Sequence, residues 1–128
     1  RGFATNTVAP MLMMESFADA LAASDKGRIV NMTSRMGSIS DNGSGGYYAY
    51  RASKAALNAV SRSAAIDLRE RGITVVCTHP GWVRTAMGGD AAPLGTADGA
   101  DGLYRLIDGL GPADSGRFLN VDGTAIGW

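Results

Sequence analysis

Gly72-Ile73-Thr74-Val75-Val76-Cys77-Thr78-His79-Pro80-Gly81 decides how this chain folds. Ile73 to Thr78 is a nearly continuous apolar run, rich in β-branched side chains. A strand with one wet face alternates apolar and polar residues. A strand covered on both faces does not, and such strands belong to parallel sheets flanked by helices. Gly72 suits the left-handed cap that closes a preceding helix. Pro80-Gly81 ends the strand, because proline offers no backbone donor to a ladder.

Outward from that strand the same alternation repeats. Before it, Tyr48 to Arg71 reads as a long Ala-rich helix with Ala55, Leu57, Val60, Ala64, Ile66 and Leu68 on overlapping faces. Residues 35 to 47 read as a loop turned by Gly37, Gly43, Gly45 and Gly46. Arg28 to Thr33 reads as a strand bounded by Gly27. From Phe3 to about Ala23, apolar residues recur at helical spacing, with Pro10 near the start. On the other side, residues 82 to 95 form a second loop. Thr96 is placed to cap a helix running to about Leu110. Arg117 to Val121 reads as a last strand, closed by an Asp122-Gly123 turn. Helix, strand, helix, strand, helix, strand predicts an α/β fold: three parallel strands with three main helices on the two faces.

The bulk composition narrows the function classes. The 128 residues have the length of one domain, 1–128, and 45% are hydrophobic. Twelve Lys plus Arg balance twelve Asp plus Glu, with no basic cluster. This argues against nucleic acid as a partner, since that affinity rests on neutralising phosphates. No apolar run approaches the roughly 20 residues that span a bilayer, and no signal-peptide pattern is visible. Cys77 is the single cysteine and reads as a buried strand residue, consistent with a cytoplasmic location. His79 is the single histidine and reads as structural at its strand end. With no Cys/His/Asp cluster, no metal site is expected. No Gly-x-Ser-x-Gly elbow exists for a serine hydrolase.

The chemistry begins with Tyr50 and Lys54, four residues apart and so on one helical face. An ordinary phenol, with a pKa of about 10, exchanges protons poorly at neutral pH. An ammonium nearby stabilises the phenolate; at about 4 Å and an effective dielectric of about 20 the attraction is roughly 4 kcal/mol. Such a pair suits general acid–base work. The spacing alone says little, because Tyr and Lys fall four apart on many helices. Tyr47, Tyr48 and Tyr104 lack a lysine four residues on. Three features add weight. Ser34 follows the end of the Arg28–Thr33 strand, and open α/β sheets bind ligands beyond the carboxyl ends of their strands. His79 to Thr85 leaves the next strand at that same edge. Asn6, a mediocre helix former, lies inside the first helix.

Together these motifs resemble the short-chain dehydrogenases/reductases. Asn6, Ser34, Tyr50 and Lys54 are similar to that family's Asn-Ser-Tyr-Lys tetrad. Thr5 to Pro10 resembles its asparagine segment, Val30 to Gly37 its serine strand, and Ala49 to Asn58 its active-site helix. Pro80 to Thr85 is similar to its nicotinamide loop, and Gly116 to Trp128 resembles the C-factor and Sniffer-like carbonyl reductase branch. The resemblance implies a catalytic, C-terminal part of a Rossmann-type doubly wound sheet. It implies an NAD(P)-dependent oxidoreductase, with NADP favoured, interconverting a small-molecule carbonyl and alcohol.

In the roles it implies, Tyr50 is the acid–base, Lys54 tunes it and holds the nicotinamide ribose, Ser34 polarises the substrate oxygen, and Asn6 holds a water that links Lys54 to solvent. Pro80, Gly81 and Val83 meet the nicotinamide, while Thr85 contacts its carboxamide or the phosphates. Met36, Trp82 and Met87 line the substrate. The first helix and the Tyr50 helix form the faces of a homo-oligomer.

Two departures stand out. The interval from Ser34 to Tyr50 is three residues longer than the family's common spacing. Ser38, Ser40 and Ser44 lie in the loop and lack the strand-end position, so Ser34 keeps the role. The second departure is the missing N-terminal half with its glycine-rich dinucleotide fingerprint: Gly43-Ser44-Gly45-Gly46 precedes a helix but follows no strand directly. The opening Arg1-Gly2-Phe3 runs straight into an apolar pattern, as in a chain cut from the middle of a larger fold. We therefore expect the main phosphate-binding site to lie outside these residues, and the 128-residue chain alone to be inactive and to bind NAD(P) weakly or not at all. The alternative is a non-catalytic interaction module that keeps part of the fold without the cofactor.

Overall fold

Proline and glycine set the element boundaries, and the first of them shows how. The computed structural model describes residues 1–128. Ala4–Val8 is a single π turn leading into α1, Ala9–Ala22. Pro10 sits in the first turn of α1, where it has no N–H for the carbonyl four residues back, that of Asn6. The ladder widens instead, and Ala9 N–H reaches the carbonyl of Ala4. The helix expected from Phe3 onward thus contains a π turn, a feature frequent at functional sites.

The remaining elements are β1 (Arg28–Met32), α2 (Tyr48–Asp67), β2 (Thr74–Thr78), α3 (Thr96–Gly109) and β3 (Phe118–Leu119). The sheet order is β1-β2-β3, parallel throughout, with Arg28 opposite Thr74 and Met32 opposite Thr78. The Arg28–Thr33 and Ile73–Thr78 readings hold to within a residue.

Alternate side chains serve opposite faces. Ile29, Ile73 and Val75 pack with Met14 of α1 and Val60, Ala64 and Ala65 of α2. Val30 and Val76 pack with Leu106 of α3, Leu110 and Leu119. The sheet is therefore covered on both sides, as its unbroken apolar strand requires. Every residue of β2 is buried. Each of its two buried Val side chains contributes on the order of 1.5–3 kcal/mol.

Three boundaries differ from the sequence reading. The α-helix of α2 stops at Asp67, and a 3-10 turn, Arg69–Arg71, carries the chain to Gly72, whose φ of 74° closes the helix end. The cap of α3 is Gly95, and Thr96 is already helical without capping it; the side chain can accept from the first turn only if its own backbone stays extended, and here Gly95 is the extended residue. The last strand is two residues long where five were expected. Gly116, at φ 84°, precedes it, and the turn Asn120–Thr124 ends it through Gly123 N–H donating to the Asn120 carbonyl. No helix of the chain is long and apolar enough to cross a membrane.

Candidate active site

The carboxyl ends of β1 and β2 open onto the amino-terminal turns of α2, and there the candidate residues collect. After β1 the ladder runs one residue further, with Thr33 N–H donating to the Thr78 carbonyl at 2.8 Å. Thr33 then donates its hydroxyl to the Lys54 carbonyl at 3.4 Å. Ser34 is extended, at φ −153° and ψ 150°, and its Oγ accepts from Met36 N–H at 3.1 Å. This caps the 3-10 turn Arg35–Gly37. The Ser34 hydroxyl proton stays free to be donated.

Gly37 was read as a loop turn, but it serves a close approach. A Cβ there would stand 2.9 Å from the Lys54 carbonyl carbon and 3.0 Å from the Lys54 Cβ. Only glycine lets the serine turn lie flat on α2.

Lys54 and Tyr50 occupy one side of α2 as expected. Lys54 Nζ donates to the Met32 carbonyl at 3.0 Å and lies 6.0 Å from the Tyr50 ring centroid. The lysine therefore spans from the helix to the open end of β1 rather than resting solely on the phenol. Burial draws the Lys54 ammonium below the ordinary lysine value, while the nearby Cys77 sulfur acts the other way. Cys77 lies beneath it on β2, and burial pushes its thiol up to about 11 against the opposing influence of Ser61 and Lys54.

Asn6 reaches the same site from the π turn. Its Nδ2 donates to Ser53 Oγ at 3.1 Å, and Ser53 Oγ donates to the Tyr50 carbonyl at 2.9 Å. Thr7 hydroxyl donates to the Ser53 carbonyl at 2.8 Å. Asn6 is thus joined through Ser53 to the Tyr50 backbone, and the turn that carries Ser34 meets Lys54 through Thr33 and Gly37.

Comparison with known proteins places the chain in a family. The sequence profile of the short chain dehydrogenase family matches residues 1–93. The chain belongs to the short-chain dehydrogenase family. It is 45% identical over 128 residues to C-signal of Myxococcus xanthus, covering all of this chain and 77% of that protein. It is 41% identical to 1-hydroxy-2-glutathionyl-2-methyl-3-butene dehydrogenase of Rhodococcus sp. (strain AD45), covering 96% of this chain and 55% of that one. Among solved structures, it is similar to the carbonyl reductase Sniffer of D. melanogaster, with a TM-score of 0.90 and 40% identity, over 98% of this chain and 55% of that one. The NADPH-bound carbonyl reductase from chicken fatty liver gives a TM-score of 0.90 at 35% identity, again over 98% and 55%. The chain spans about half the length of most of these relatives.

Within this family member, the second strand's loop is braced by His79. Its Nδ1 accepts from Gly81 N–H at 3.1 Å, so the proton sits on Nε2, which is 2.8 Å from Asn120 Oδ1. The histidine fastens the Pro80-Gly81 turn to the loop after β3, a structural role. Gly81 is at φ 84°, a backbone that other residues rarely adopt. Val83 pairs with Leu94 in an isolated bridge, and Arg84 donates to the carbonyls of Ala92 and Pro93. Thr85 Oγ1 accepts from Gly88 N–H, and Trp82 Nε1 donates to the Gly88 carbonyl. Trp82 and Met87 remain exposed, at 57% and 88%. Met36 is half-buried and lines a small cavity with Asn42, Arg51 and Ala52.

Two positions that brace this region lie outside the sequence reading. Ser53, fully buried, is the junction between Asn6 and the Tyr50 backbone. Its signal was present: Ser53, Leu57, Ser61 and Ala65 recur at four-residue intervals on the buried face. Arg51 holds the preceding loop, donating to the carbonyls of Gly45 and Gly46 and to Ser44 Oγ. That loop turns through three consecutive left-handed residues, Gly45, Gly46 and Tyr47. Nothing local in the sequence marks Tyr47 for that conformation.

Proposed function

We propose that the protein containing this chain is an NAD(P)-dependent oxidoreductase that interconverts a small carbonyl compound and its alcohol, with NADP favoured. The observation that carries this reading is the placement of Tyr50 and Lys54 on one side of α2, with Lys54 reaching the Met32 carbonyl at the end of β1, where the Ser34 turn begins. A nicotinamide cofactor, when bound, supplies or takes up the hydride. The residues at hand suit its nicotinamide end: Lys54 offers a charged donor, and the backbone at Pro80, Gly81 and Val83, with Gly81 at a positive φ, lies at the end of β2 with Thr85 nearby. They do not suit its pyrophosphate, because no glycine-rich turn follows a strand in this chain.

In the reductive direction, Ser34 donates its free hydroxyl proton in a hydrogen bond to the substrate oxygen. Tyr50 then gives its phenolic proton to that oxygen as negative charge develops there. Lys54 places a positive charge beside the resulting phenolate. Asn6 and Ser53 hold the Tyr50 backbone, and through it the ring, in register with the Ser34 turn. In the oxidative direction Tyr50 takes the proton back from the alcohol. Met36, Trp82 and Met87 stand on the two loops that flank this point and supply the apolar contacts to the substrate.

The open edge of β1 and the exposed apolar side chains Phe3, Met11, Leu12 and Phe17 support two further parts of the reading. The edge accepts the strands that carry the phosphate site, and α1 with α2 forms the contact between copies of the protein.

The test is Tyr50→Phe in the full-length protein, assayed for NADPH-dependent carbonyl reduction. Loss of about a thousandfold in kcat is expected, within the range that general acid catalysis contributes. Retained activity would refute the assignment of the acid.

A further inference from the structure

We infer that Ile126-Gly127-Trp128 is a positioning strap for the serine turn, acting on the reaction through Ser34. The inference rests on the reading of Ser34 given above. The segment leaves the turn after β3 and folds back: Ile126 N–H donates to the Phe118 carbonyl at 2.8 Å, and the Ile126 side chain packs with Cys77 and Phe118. The Trp128 ring stacks on Phe118, with centroids 5.5 Å apart and planes inclined by 26°. Phe118 is itself buried on β3. The strap is therefore anchored to the sheet.

From that anchor it grips the chain just beyond Ser34. Ser40 N–H donates to the Trp128 carbonyl at 2.9 Å. The Ser38 hydroxyl donates to the Gly127 carbonyl, and Ser38 Oγ also accepts from Asp41 N–H at 3.1 Å. Ser38 is almost fully buried, so its hydroxyl is committed to this junction. A Cβ on Gly127 would press on Ser40 Oγ and oblige that hydroxyl to turn away. Trp128 and Ile39 also border a cavity whose opposite wall is Gly37, Ala55 and Asn58.

The consequence is mechanical. The turn that carries Ser34 is held on two sides: by Lys54, against which Gly37 lies with no room for a side chain, and by the Gly127-Trp128 strap. Exposed loops ordinarily move, and a misplacement of about 1 Å at a reacting group costs on the order of a hundredfold in rate. Gripping Ser38 and Ser40 limits where Ser34 can sit relative to Tyr50.

The experiment is a double-mutant cycle in the full-length protein with Trp128→Ala, Ser34→Ala and the double variant, with Trp128→Phe as the conservative control. Trp128→Ala should lower kcat about tenfold, change KM less than threefold, and speed hydrogen exchange at the Ser38–Asp41 amides. Trp128→Phe, which keeps an aromatic ring on Phe118, should restore kcat to within about threefold. On the Ser34→Ala background, Trp128→Ala should cost nothing further. A full tenfold loss on that background would overturn the inference, as would unchanged exchange at Ser38–Asp41 with unchanged kcat. If Trp128→Ala proves too unstable to assay, Gly127→Ala replaces it and the same cycle decides. Failure of the functional reading is read separately, from Tyr50→Phe.

Discussion

The loop after β1 and the loop after β2 leave the same end of the sheet, but they are held in different ways. Residues 33 to 40 are clamped to the rest of the molecule, by Lys54 on one side and by Gly127 and Trp128 on the other. Residues 82 to 95 hold mostly to themselves, through Arg84 with Ala92 and Pro93, Trp82 with Gly88, and Thr85 with Gly88. Its large side chains, Trp82 and Met87, face outward. Under the proposed function the difference separates two tasks: proton transfer, which needs a fixed geometry, falls to the loop built against a helix, and contact with cofactor and substrate falls to the loop with exposed side chains.

The comparison can be broken most sharply at Gly37. In the full-length protein Gly37→Val should force the serine turn off α2, lowering kcat on the order of a hundredfold and stability by about 1–3 kcal/mol through overpacking. Steady-state kinetics and urea unfolding measure both, and a variant with wild-type kcat would show that the clamp is not needed.

The next test lies in the strand beneath both loops. Cys77 titrates near 9.0 when unfolded and is pushed up to about 11 by burial in the folded chain. The folded state therefore resists losing the proton. This site costs nothing below pH 9; above it the unfolded state ionises first, and stability falls until about pH 11. Two units correspond to a loss of about 3 kcal/mol. Thermal melting between pH 8 and 11 should show this slope in the wild type and not in Cys77→Ala. Equal slopes would mean that the thiol is not shielded where the clamped loop begins.

The smallest effects belong to the second loop. Trp82→Ala and Met87→Ala should raise KM for carbonyl substrates several-fold while leaving kcat and the melting temperature nearly unchanged, because both side chains are exposed. A loss of stability of more than about 1 kcal/mol in either would place that loop with the scaffold instead.

Much of this was legible beforehand because the signals are local. The Ile73–Thr78 run announces a doubly covered strand wherever it occurs, and Gly72 announces the end of α2. Tyr50 and Lys54 share a face by helix periodicity alone. Other features were hidden because they depend on partners far away in sequence. Gly37 is a loop glycine by local pattern and a close-approach glycine only through Lys54, and nothing local gives Ser53 the partner it finds in Asn6 of the π turn. The expected β3 runs too far because Val121 looks like a strand residue, whereas Asn120 already opens the Asn120–Thr124 turn.

The sequence by itself determined the alternation of helices and strands, the buried character of β2, and the tyrosine, lysine, serine and asparagine that the proposed function places at the sheet's end. These follow from periodicity, turn chemistry and ordered motifs, all carried within a few residues. Only the tertiary structure decided that Lys54 spans to the Met32 carbonyl, that Ser34 caps its own turn while keeping a proton to donate, and that Gly127, 89 residues beyond Ser38, fastens that turn together with Trp128. Such contacts arise from where folded elements come to rest on one another, and no local pattern encodes that meeting.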